Sequence, residues 1–151
     1  MKENQTIAQF LGITKFPYII KNEQGKIIYF EELSGYWIKK EFDSNGNQTR
    51  YEDSNGFWVK REFNINGNET RYEDSYGIWK KSEYDAKGNL THFEDSKGYW
   101  AKSEFDANGK EIYFESSYGI NIDNRPKQVE LTLGEIASKL NIPLELLRIK
   151  D

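Results

Sequence analysis

A chain of 151 residues, with 15% aromatic and 30% charged side chains, has the length of one ordinary domain and too many large rings for a disordered segment. The absence of cysteine and the single histidine exclude disulfide staples, thiolate chemistry and a zinc site of the Cys/His kind. A formal net charge of −4 disfavours a bulk electrostatic grip on nucleic acid, and no apolar run approaches the ~20 residues of a membrane span.

The N-terminus, MKENQTIAQFLGI, lacks the apolar core of a signal peptide, so the expected location is cytoplasmic. Residues 1–15 read as an N-terminal helical cap, with helix-forming character from Thr6 to Ile13. At Phe16 a repeating frame begins. Residues 16–35 form a degenerate first unit, with Phe16 in a slot that later holds tryptophan. Trp37, Trp58, Trp79 and Trp100 then follow, each 21 residues after the last. Two glycine series keep the same spacing, one from Gly35 to Gly119 and one from Gly25 to Gly109. Such self-similarity marks a repeat architecture.

Each regular unit, from about 36 to 119, contains two alternating runs such as WVKREF and ETRYED. Asn66-Gly67 or an equivalent pair lies between them, a hairpin signal because both residues tolerate positive φ. The second turn is Ser-x-Gly, as in Ser54-Asn55-Gly56. One unit is therefore one β-hairpin, and consecutive units make an antiparallel meander. The frame fails after Gly119, where Asn121 stands in the tryptophan slot and NRPKQ follows. Residues 121–151 read as a C-terminal cap with a helix at about 132–140, N-capped by Thr132 with Glu135 three residues on. Asn141 and Pro143 stop that helix, and LELLRI forms a further short turn or strand. Core packing against the sheet edge is preferred for this helix over half of a helix-turn-helix, since no recognition helix follows.

Strand side chains alternate faces. Trp37, Lys39 and Glu41 share one face with Trp58, Lys60, Glu62, Trp79, Lys81, Glu83, Trp100, Lys102 and Glu104. The opposite face carries Phe57, Val59, Arg61 and Phe63, and its equivalents drift through Lys40, Lys80 and Ser82. About ten strands at ~4.8 Å would span 45–50 Å, more than two short helices can cover. The expected fold is mainly β, a twisted single-layer or spiralling sheet. Long Lys, Arg and Glu stems lie over its rings, and self-association into a homo-oligomer is expected.

The residues YDAKGNLTHFEDSKG, from Tyr84 to Gly98, resemble the tyrosine-aspartate (YD) repeat of the Rhs family. The resemblance covers about 100 residues, from Phe16 to Gly119, with Phe42, Phe63 and Phe105 in place of tyrosine and Asn64 in place of aspartate. It implies a β-hairpin sheet that winds in a spiral. The toxin-enclosing shell of large Rhs proteins does not carry over to so short a chain. The unit is also similar to those of small phage and prophage proteins, which implies an accessory protein acting in a producing or infected bacterial cell.

No residue pattern points to catalysis, a metal or a cofactor. His92 occupies a frame position held by Arg50 and Arg71, which reads as a strand surface. Asp43 to Asn47 has its glycine too early for a calcium loop and reads as a hairpin turn. Glu52-Asp53 and its equivalents are adjacent strand residues that point to opposite faces, a poor acid/base pair. The expectation is a non-catalytic protein-binding module, of the type of a phage inhibitor of a bacterial defence or other host system. Its candidate surface is the twelve-residue Trp-Lys-Glu ladder. Glycan or choline-type wall binding, and a self-assembling structural role, are the alternatives.

Overall fold

The computed structural model describes residues 5–127 and 130–147; the remaining parts of both cap ranges lie outside the described residues. A short helix α1 (Ile7–Leu11) precedes strands β1 (Tyr18–Lys21), β2 (Ile27–Glu31), β3 (Trp37–Phe42), β4 (Gln48–Asp53), β5 (Trp58–Phe63) and β6 (Glu69–Asp74). There follow β7 (Trp79–Tyr84), β8 (Leu90–Asp95), β9 (Trp100–Phe105), β10 (Glu111–Ser116) and β11 (Asn121–Asp123). Helix α2 (Leu133–Leu140) and a 3-10 turn (Leu144–Leu146) come last. Every strand pairs antiparallel with its neighbours in sequence, so the sheet is one open eleven-stranded meander in strict chain order. The eleventh strand, β11, arises from residues read in sequence as the start of the C-terminal cap, and Asn121 pairs with Glu115 there.

The turns explain the 10- and 11-residue alternation of glycines. In Asp43-Ser44-Asn45-Gly46 the glycine N–H donates to the Asp43 carbonyl at 3.0 Å, and the Asp43 N–H donates to the Asn47 carbonyl at 3.0 Å. Gly46 sits at φ +85°, while Asn141 is the one non-glycine described residue with positive φ. Asn-Gly tolerates positive φ at both positions, but here only the glycine uses it. The turn runs through right-handed geometry and only its glycine is left-handed, as in a bulged hairpin loop. The aspartate decides this: its Oδ1 accepts the Asn47 N–H at 2.8 Å and so replaces a backbone partner. The Ser-x-Gly turns are built alike, with Asp53 Oδ1 accepting from the N–H groups of Asn55 and Phe57.

Because each Asx-Gly hairpin carries a register shift, as between Glu41 and Phe42, equivalent residues do not face one another across strands. One cross-strand row reads Glu41–Arg50–Lys60–Glu73–Trp79, and the next reads Glu62–Arg71–Lys81–Glu94–Trp100. Each 21-residue unit thus advances two residues along the strand for two strands across. Equivalent positions march obliquely, at about 35° to the hydrogen-bonding direction. The face holding these rows is face A; the other is face B. Units are also locked end to end, since Ser54, Ser75, Ser96 and Ser117 donate their N–H groups to the carbonyls of Trp37, Trp58, Trp79 and Trp100.

Little of this sheet is core. Among the described residues, Ala8, Tyr29, Val59 and Ala137 are the buried apolar or aromatic ones. The most buried large side chain is Glu31, 1% exposed. Its carboxylate accepts from the Thr6 hydroxyl at 2.6 Å, the Ala8 N–H at 3.1 Å and the Tyr29 hydroxyl at 2.7 Å, which fastens α1 to the first strands. Helix α2 keeps a capping box between Thr132 and Glu135 and packs with the 3-10 turn, and the packing against the sheet edge expected from the sequence is not found among the described residues.

Candidate functional site

The meander brings all twelve ladder residues to face A. Trp37, Trp58, Trp79 and Trp100 are half-buried there, whereas Lys39, Lys60, Lys81 and Lys102 and the glutamates Glu41, Glu62, Glu83 and Glu104 are exposed. Three lysines fold back over their own tryptophans. Their Nζ atoms stand 5.0 Å from the Trp58 ring, 5.4 Å from Trp79 and 5.8 Å from Trp100. Trp37 stacks on Tyr29 instead, with centroids 6.3 Å apart and planes at 21°. Stems over rings shield apolar surface in a sheet with nothing else above it.

The rows include residues the sequence reading left outside the candidate surface. Arg50 and Arg71 stand between a glutamate and a lysine of the ladder, and Glu52 and Glu73 close the rows against Trp58 and Trp79. Arg50 pairs with Glu52 at 3.0 Å and Arg71 with Glu73 at 3.4 Å along the same strand. The signal was available in side-chain parity carried through the bulged turn, but a two-residue turn would have phased the strands differently. In the third row His92 takes the arginine position, between Glu83 and Lys102. There Glu94 turns to Lys81 at 2.9 Å, which holds its carboxyl below the usual range. Exposed pairs of this kind are each worth under about 1 kcal/mol.

Both ends of face A are closed by a clasp. Glu31 takes α1 at the N-terminal end. At the other end Arg125 lies 4.2 Å over the Tyr113 ring and donates to Glu104 at 3.1 Å and to both Asp123 oxygens at 2.9 and 2.8 Å. That grip draws the Asp123 carboxyl down to about 2. Tyr29, by burial and then its bond to Glu31, is pushed well above the ordinary phenol range, and Tyr113 is raised by its bond to Glu115. Asp43 lies low because Asn47 donates to it. These shifts belong to turns and clasps. Among the described residues, no three His, Asp or Glu side chains gather so that they could hold a metal ion, and no helix is long and apolar enough to cross a membrane.

No family model matches the chain, and no curated protein matches it. Among solved structures it is similar to part of the Photorhabdus luminescens Tc holotoxin pore, at 12% identity and a TM-score of 0.48. That likeness covers 66% of this chain and 5% of the other. The chain is a β-hairpin repeat protein.

Proposed function

We propose that this chain is a non-catalytic protein-binding repeat module, of the tyrosine-aspartate type, whose recognition surface is face A. The observation that carries this reading is the area the fold leaves open. A compact monomer of 17.8 kDa exposes roughly 8,000 Å², yet this one exposes 11457 Å². The strands contribute to the surplus because most of their residues stay half-buried or exposed on both faces. On face A it consists of half-buried tryptophans set among arginines and alternating charges, the residue types that dominate binding hot spots. The partner that fits is a protein with an extended surface that pairs its own charges with the rows. The narrower reading, an inhibitor that occupies a bacterial host protein, rests on the resemblance to phage repeat units.

The lysine above each of three tryptophans weighs against a choline-type wall binder, because it already occupies the ring face that a ligand cation would need. The test is affinity capture from bacterial lysate with the wild type, a Trp58→Ala/Trp79→Ala variant confirmed as folded by circular dichroism, and Ser82→Arg as a face B control. One dominant protein held by the wild type and the control, and weakened by about 2 kcal/mol or more in the tryptophan variant, is expected. Equal capture by all three, or recovery of the bait alone, overturns the reading.

A further inference from the structure

Face B breaks the repeat where face A keeps it. In the row centred on Tyr72 the aromatic is covered by long cations. Tyr72 faces Arg61 on one side and Lys80 on the other, with charge centres 5.4 and 5.7 Å from its ring, and its hydroxyl donates to Asp74 at 2.9 Å. Tyr51 lies between Lys40 and Val59. One unit further on, the same frame positions read Ser82–Phe93–Ala101, and the next row reads Ser103–Phe114–Ile122. Both cations and the phenol hydroxyl are gone together. Leu90, Ile120 and Ile122 are 40%, 50% and 49% exposed beside them.

We propose that these last two rows of face B are the contact through which the chain pairs with a second copy of itself. On the two rows large side chains fall on β8 and β10 and small ones on β7 and β9, so Phe93 and Phe114 form ridges, Ala101 and Ser103 a groove between them, and Ser82 a step on the outer side of Phe93. Phe93, Ala101, Ser103 and Phe114 line a shallow trough whose rim includes Leu90, His92 and Tyr99. Ridges and grooves one strand apart are complementary to themselves when two sheets meet face to face at about 10 Å under a two-fold axis. The first row, Ile19–Phe30–Ile38, flanks its ring with branched side chains and offers no such groove. None of Ser82, Phe93, Ala101, Ser103, Phe114 and Ile122 is charged, and the charges bordering them on β7 and β8, Lys80 and Asp95, face each other as an opposite-sign pair, so the patch itself brings no net like charge together although each copy carries −4 overall. The patch is about 20 Å on a side, or roughly 400 Å² of sheet per copy. Two such patches fall short of the ~1,200 Å² of stable complexes. The pair is accordingly weak and concentration-dependent, and it leaves face A free, so it goes beyond the proposed function and stands or falls apart from it.

The experiment is sedimentation velocity over a wide concentration range on the wild type, Ser82→Arg/Ala101→Lys and Trp58→Ala. The double variant restores the side chains that Arg61 and Lys80 supply one unit earlier, so it suits the fold. The wild type is expected to shift from 17.8 kDa toward twice that mass as concentration rises. The double variant should associate about tenfold more weakly or not at all, because association would bury its cations. Trp58→Ala should behave as wild type. A wild type that stays monomeric throughout assigns the patch to a different apolar partner and overturns the proposal. So does a double variant that pairs as tightly as wild type, a loss of pairing in Trp58→Ala, or growth past the dimer.

Discussion

Glu31 shows how one residue of a repeat acquires a separate task. In the 21-residue frame it is equivalent to Glu52, Glu73, Glu94 and Glu115, and three of these accept from a neighbour two residues back in the same strand. At Glu31 the same carboxylate is buried and shared among Tyr29, the Thr6 hydroxyl and the Ala8 N–H. The frame position was legible in the sequence. The clasp was not, because Thr6 and Ala8 lie 25 and 23 residues away and carry no trace of the repeat. Replacing Glu31 with alanine leaves a buried amide and hydroxyls without a partner. We expect it to cost about 2–4 kcal/mol, read from the urea midpoint, and to release α1, read as new proteolytic cleavage near residue 10. The structurally equivalent Glu73→Ala, whose partner Arg71 is exposed, should cost under about 1 kcal/mol.

At the scale of the element, hairpins and their number followed from glycine and tryptophan spacing, and the alternation of each strand placed the ladder on one face. The rows themselves were hidden. Reading Asn-Gly as a pair of left-handed residues omits the bulge, and a bulge of one residue resets which side chains meet. That is why Arg50, Arg71, Glu52 and Glu73 were missing from the expected surface. The same geometry gives a sharp test of the turns. An ideal Cβ at Gly67 meets nothing within 4 Å, but its backbone stands at φ +82°. Gly67→Ala should therefore cost about 1–2 kcal/mol through backbone conformation alone. Gly134→Ala, in the first turn of α2 at an ordinary φ, should be neutral or favourable to helix content by circular dichroism. Equal penalties at both sites would contradict the turn assignment.

At the scale of the molecule, the open meander follows from local pairing alone, since each strand finds its partner across a four-residue turn. The sequence made it plain that two short helices could not roof so wide a sheet, and the structure answers with cations laid over rings rather than with a second layer. What single-residue patterns could not convey is that the two faces diverge. Face A preserves its Trp-Lys-Glu ladder from Trp37 to Glu104, while face B lacks covering cations beyond the Tyr72 row. That difference appears only when the register aligns Arg61, Tyr72 and Lys80 with Ser82, Phe93 and Ala101. The proposed function therefore requires face A to be a free surface in solution. Acrylamide quenching of tryptophan fluorescence addresses it directly, because all four tryptophans lie on that face. We predict one accessible class of tryptophan, quenched equally well in dilute and in concentrated protein, with emission at a wavelength typical of half-buried rings. Tryptophans protected from acrylamide, with blue-shifted emission like that of a closed core, would mean that face A is covered by the chain or by a second copy, and would contradict the account.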